Sequence, residues 1–223
     1  VAAYGREGDL PGEFRDPCGI AVAKDGRIFV ADTWNHRIQV LTAEGEPVDE
    51  WAPRLYGPRA IAIAPDDSVF VTDSGNRSVV RFSASGEVLG RFGADVLRSP
   101  IGIAIDAAGE IWVADAERRD VVAFDASGRR LRSFAVDGWA PGGIVEPYLE
   151  IGTDGVLWLT DPSGGRVLLY DRSGRSLGVA EASAPLSLPL GIALVDDAHA
   201  IVTTRDEIVT VTRPANSQRG GSS

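Results

Sequence analysis

A chain that repeats itself every forty or so residues has to be read as a set of stacked units before anything else is asked of it. Four segments of this chain align on a shared aspartate, at Asp32, Asp73, Asp115 and Asp161. They read GIAVAKDGRIFVAD, AIAIAPDDSVFVTD, GIAIDAAGEIWVAD and YLEIGTDGVLWLTD. A fifth, degraded copy, GIALVDDAHAIVTT, carries Thr204 at the aspartate position.

Within each copy, short β-branched and aromatic runs are separated by turn chemistry, as at Lys24-Asp25-Gly26, Ala43-Glu44-Gly45 and Ala84-Ser85-Gly86. That spacing predicts four short antiparallel strands per repeat. Runs such as Ile28-Phe29-Val30-Ala31 and Ile111-Trp112-Val113-Ala114 are apolar at nearly every position, so both faces of each sheet must be covered by neighbouring sheets. Sheets stacked face to face around an axis make a propeller. Helical repeats of similar length are excluded, because no stretch of about ten residues shows helical periodicity without a Gly or Pro inside it. The fold class is all-β.

The fifth copy supplies three strands and then runs into a polar, Gly/Ser-rich stretch, so the expected organisation is a propeller over residues 1–213 and a flexible tail over 214–223. Tyr4-Gly5 aligns with Phe92-Gly93, which ends an outer strand. The N-terminal strand is therefore expected to complete the last blade and close a five-bladed ring, which would remove two exposed sheet edges. The alternative is that these blades are part of a six-bladed ring.

The segment GREGDLPGEFRDPCGIAVAKDGRIFVADTWNHRIQV resembles an NHL repeat. It has the glycine-spaced connection, the Pro and Gly before an inner strand, the Val-Ala-Asp end of a second strand, and Asn35-His36-Arg37 before a third. The likeness weakens through the later copies but covers nearly the whole chain. It implies a propeller, often six-bladed in that family, that recognises partners through one face of the disc. Because propellers host scaffolds, lyases and lactone hydrolases alike, the resemblance does not choose among them.

Charge narrows the partners. The formal net charge is −10, which repels a phosphate backbone unless the few cations gather on one face, so nucleic acid is not expected. Only Lys24 is a lysine; the other cations are arginines, suited to bidentate contacts with carboxylates. The single cysteine, Cys18, forbids an intrachain disulfide and reads as a small apolar core residue. No run is long and apolar enough for a membrane helix, so no membrane insertion is expected.

The aspartates at the strand ends are read as structural clamps for the loops that follow, since a carboxylate in every blade is a building part. Those loops and the connections between blades share one face of a propeller. That face is expected to carry Trp34, Asn35, His36, Asn76, Arg77, Arg98, Glu117, Arg118, Arg119 and Trp139 as binding residues, with Trp and Arg the types enriched at interaction hot spots. Trp139 lies in the longer, glycine-rich connection between blades three and four, where its ring would lie over the channel mouth or simply span the gap. Blade four departs from the others at its inner strand, with Tyr148 and Glu150 where Gly19 and Ala21 or Gly102 and Ala104 stand elsewhere. A tyrosine and a carboxylate at the axis need partners, which makes them a polar channel pocket or a satisfied structural pair. Phe29, Phe70, Trp112 and Trp158 recur at one strand position and are read as core.

With two histidines, His36 and His199, the chain lacks the histidine-rich metal site of lyases that resemble this family. No cofactor is expected, apart from the open possibility of a Ca ion in the channel beside Glu150. The reading is a binding or scaffold module for a protein or glycan partner, a domain of a larger protein. The alternative is a small-molecule or metal-dependent propeller enzyme, lactone hydrolase-like or lyase-like, that uses the channel.

Overall fold

The computed structural model describes residues 4–139 and 146–215. Blade one is formed by strands Pro17–Val22, Ile28–Asp32, Arg37–Leu41 and Pro47–Trp51. Blade two follows with Pro58–Ile63, Val69–Asp73, Ser78–Phe82 and Val88–Phe92, and blade three with Pro100–Ile105, Ile111–Asp115, Asp120–Phe124 and Arg130–Ala135. Blade four has Leu149–Ile151, Leu157–Asp161, Arg166–Tyr170 and Ser176–Val179. Blade five has Ile192–Leu194, His199–Thr203 and Ile208–Thr212. Every pairing within these sheets is antiparallel and sequential, so the protein is an all-β, five-bladed propeller.

The core lies between blades, as continuous apolar strands require. Separate apolar clusters join blades one to two, two to three, three to four and four to five. Phe29, Phe70, Trp112 and Trp158 occupy one register position on the second strand, are all within 1% of full burial, and face the next blade.

The turns between third and fourth strands show why glycine recurs there. Gly45, Gly86, Gly128 and Gly174 hold φ between +85° and +88°, which L side chains adopt only at a cost. Each also lies under an aromatic ring from the preceding segment: Tyr4, Trp51, Phe92 and Phe134 in turn, with the nearest ring atom 2.3–2.5 Å from where a Cβ would stand.

Tyr4 thus sits where the outer-strand aromatic of a preceding blade belongs, as its alignment with Phe92 predicts. The strand expected to close the ring lies, but for Tyr4, outside the described residues. Blade five has three strands among the described residues, and the segment from Tyr4 packs on blade one. There Arg6–Glu7 and Glu13–Phe14 form a small parallel pair. Gln39 holds this segment to the blade, accepting from Gly12 N at 2.9 Å and donating to Glu13 O at 2.6 Å. Residues 1–3 and most of the expected tail, 216–223, lie outside the described residues.

Candidate functional site: the loop face

Each of the aspartates Asp32, Asp73, Asp115 and Asp161 is fully buried and gathers donors from the loops around it. Asp32 accepts the Arg15 amide at 2.7 Å, Asn35 Nδ2 at 2.9 Å, Arg37 Nε at 2.7 Å and Gln39 Nε2 at 3.1 Å. Asp73 accepts the Tyr56 amide at 2.7 Å and Asn76 Nδ2 at 2.8 Å, and pairs with Arg91. Asp115 accepts the amides of Arg98, Ser99 and Arg118. In blade four, Asp161 takes Gly164 N and Arg166 Nε. The carboxylate ties the loop that follows it, and in blades one to three also the connection entering its blade, so the two sets of loops form one surface.

On that surface the residues expected from sequence separate into two groups. Trp34 is 55% exposed and anchored by Nε1 donation to Asp16 Oδ2 at 2.7 Å. Arg77, Arg98, Glu117, Arg118 and Arg119 are exposed, although Arg118 is drawn to Asp120 at 2.7 Å. Asn35 and Asn76 spend their amides on the loops, and His36 Nδ1 accepts the Gly57 N–H at 3.1 Å. Trp139 is not on the face: it is 4% exposed in the core between blades three and four, because an indole beside that apolar seam gains more from burial than from solvent. The rest of its glycine-rich connection, 140–145, lies outside the described residues.

Sequence reasoning missed Arg15, Arg54 and Tyr56. Arg15 and Tyr56 hold the register of Arg98, two residues before the proline that opens an inner strand, at Pro17, Pro58 and Pro100. That prolyl register was the available signal. Tyr56 is 58% exposed, its ring 4.9 Å from that of His36 and resting on Gly75, which leaves no room there for a side chain. Asn76 Nδ2 donates to Arg54 O at 2.9 Å. Trp34 N donates to Arg15 O at 3.1 Å. Arg15, Trp34, Tyr56, Arg54 and Arg77 therefore form one ridge across blades one and two.

The ridge differs from the opposite face in its electrostatics. Among the described residues, Arg15, Arg54, Arg77, Arg98, Arg119, Arg130 and Arg205 make no ion pair, and all but Arg130 are on loop-face connections. Cations of the opposite face are neutralised within the chain, as in Lys24–Asp67, Arg27–Asp25, Arg81–Asp66, Arg129–Asp125 and Arg175–Asp171. Arg54, Arg77 and Arg119 also hold left-handed backbone, with φ of +57°, +54° and +58°. Gly165 stands at the position of Arg77 and Arg119 in blade four, at +62°.

A second, smaller site lies at the axis. A pocket of about 110 Å³ is lined by Cys18, Tyr148, Glu150 and Gly191 among others. Beside it, Arg59 Nη1 donates to Glu146 Oε1 at 2.5 Å and to Cys18 Sγ at 3.4 Å. Burial pushes the Glu150 carboxyl up to about 7, only partly offset by the Ile151 N–H. Burial likewise raises the Tyr148 phenol, helped by Cys18 and Glu146. Tyr148 and Glu150 are thus both at the channel, and among the described residues Glu150 has no cationic partner. Neither histidine lines it; His199 pairs with Asp196 at 2.9 Å. Among the described residues no group of three or more His, Cys, Asp or Glu is placed to hold a metal ion.

The clamp, the αL position and the Pro-led inner strand coincide with a family pattern: the NHL repeat model matches residues 14–41. The chain carries an NHL repeat. Over 42 residues, 19% of this chain, it is 52% identical to the B-box type zinc finger protein ncl-1 of Caenorhabditis elegans and 48% identical to Protein brain tumor of Drosophila melanogaster. Those matches span 5% and 4% of the two relatives. Among solved structures, the propeller is similar to virginiamycin B lyase from Staphylococcus aureus, at TM-score 0.72 and 19% identity, covering 89% of this chain and 66% of that one. It is similar too to a protein of unknown function from Bacteroides thetaiotaomicron, at TM-score 0.75 and 16% identity, covering 90% and 57%. At such identities these are likenesses of fold.

Proposed function

We propose that this NHL propeller is a protein-recognition module whose loop face docks an acidic, extended segment of a partner across blades one and two. The observation that carries the reading is the segregation of the unpaired arginines: among the described residues Arg15, Arg54, Arg77, Arg98, Arg119 and Arg205 make no ion pair and lie on loop-face connections, and Arg130 is the one such arginine elsewhere. An unpaired exposed guanidinium keeps its planar fork for an incoming carboxylate. Beside it, Trp34 and Tyr56 offer large, anchored apolar area with polar tips, the composition of binding hot spots. Backbone strain at Arg54 and Arg77 supports the same reading, since strained left-handed residues persist where they place a functional side chain.

The test is fluorescence anisotropy with labelled Glu/Asp-rich peptides. Binding should weaken as salt rises and fall about tenfold or more in Arg54→Glu/Arg77→Glu, the loss typical of removing interface arginines. The opposite-face variant Arg129→Glu/Arg175→Glu should bind as the parent does. Equal losses in both variants, or tighter binding of a single-stranded RNA than of any acidic peptide, would overturn it.

A further inference from the structure

The first strands of the five blades meet at the axis, and each contributes to the one small pocket of about 110 Å³. Its walls are aliphatic: Ile20, Ile61, Ile103, Leu149 and Ile192 come from blades one to five in turn. Ile20 is 67% exposed, and Cys18 and Ile192 are only part-buried, so a solute can reach it. An apolar cavity of about 150 Å³ holds benzene, so this one has room for about four heavy atoms.

Into these walls blade four brings a single carboxyl. Glu150 holds the register that the other blades fill with Ala21, Ala62, Ala104 and Ala193. Blade packing asks only for a methyl group there, so the carboxylate is not a building part. Among the described residues no side chain pairs with it, and burial pushes it up to about 7 against the Ile151 N–H alone. The charges beside the pocket cancel, since Arg59 of blade two is paired with Glu146 at 2.5 Å. Cys18 of blade one and Tyr148 of blade four are the remaining titratable groups, and burial holds the Tyr148 phenol above its ordinary range. Blades three and five face the pocket with Ile103, Gly191 and Ile192. Once Glu150 ionises, the pocket carries one uncompensated negative charge in apolar surroundings, a costly state until a cation joins it.

We propose that the axial pocket binds a small aliphatic primary ammonium ion of about three carbons, with Glu150 as its counter-ion and the aliphatic walls around its chain. A divalent metal suits the pocket poorly: such ions ask for several oxygen ligands, and no group of three or more His, Cys, Asp or Glu is placed to hold one among the described residues. An anion finds no free guanidinium, because Arg59 is spent on Glu146. An ammonium brings three donors on a compact head, and its hydrocarbon stem matches the isoleucines. The site shares no residue with the ridge of Arg15, Trp34, Tyr56, Arg54 and Arg77, so it stands or falls apart from peptide docking there.

The experiment is a titration of the 223-residue chain with propylammonium chloride, followed through backbone amide shifts. Saturable shifts should centre on Cys18, Ile61, Ile103 and Ile192. Affinity should fall about tenfold or more between about pH 8 and about pH 5, where Glu150 takes up its proton. Glu150→Gln should bind about tenfold or more weakly at the higher pH and lose the pH dependence, since the charge it removes is the one the ligand meets. Its amide spectrum away from the axis reports that it is folded. Glu44→Gln, which removes an exposed carboxylate from a turn of blade one, should bind as the parent does. Equal affinity for 1-propanol would make the pocket merely apolar, and displacement by an equal concentration of potassium chloride would make it a metal-cation site. Undiminished binding in Glu150→Gln, or no saturable shift at the pocket amides, would leave the carboxylate without this role; each of these overturns the proposal.

Discussion

Arg37 donates through Nε to Oδ2 of Asp32 across 2.7 Å, and both side chains are almost wholly withdrawn from water. The pair belongs to a larger knot, since Arg37 also donates to Glu50 and to the carbonyls of Leu10 and Glu13. Asp32→Ala should therefore strand a buried guanidinium and at least one loop amide, and cost about 3–5 kcal/mol. Urea denaturation measures it, and an unchanged midpoint would contradict the clamp.

Register equivalence should separate Trp112 from Ile201. Trp112 is fully buried and donates from Nε1 to Asp106 Oδ2 at 3.3 Å, so Trp112→Ala should cost about 3–5 kcal/mol. Ile201 holds the same position in blade five with 40% of its surface exposed, and Ile201→Ala should stay within about 1 kcal/mol of the parent. Thermal or urea unfolding of both variants is the check.

Glu150 should make stability fall as pH rises. Its folded value of about 7 lies above the ordinary 4.5, so the native state holds the proton more tightly than the unfolded chain and loses stability as pH climbs from 4.5 through 7. Glu150→Gln should match the parent near pH 4 and exceed it at pH 8 by on the order of 3 kcal/mol. Unfolding curves at the two pH values give the difference directly.

Arg77 should trade stability for recognition. Its φ of +54° is one that glycine takes freely, so Arg77→Gly should raise stability by about 1 kcal/mol. Peptide affinity should drop in the same variant. A stabilised protein with undiminished binding would separate the strain from the site.

Much of this was legible before any coordinates. The period of the aspartates, the continuous apolar strands and the Gly-bearing turns each demand sheets covered on both faces, and the structure has them. The recurrent aromatics were readable as core because a position that repeats in blades one to four must serve the interface those blades share. The alignment of Tyr4 with Phe92 was readable for the same reason, and both rings do cover a glycine turn. Trp139 was misplaced because a glycine-rich flank says where a chain bends and nothing about which side of the bend an indole finds its apolar neighbours.

The sequence by itself determined the repeat, the strand order within each blade and the buried clamp, since all of these follow from local spacing and turn chemistry. Tertiary structure alone decided which arginines stay unpaired and that Arg15, Trp34, Tyr56, Arg54 and Arg77 meet in one ridge. It also decided that Ile201 and Ile208 are left uncovered. Ion pairing and burial depend on what arrives from a different blade, and that is fixed by the packing of sheets around an axis, which no single repeat encodes.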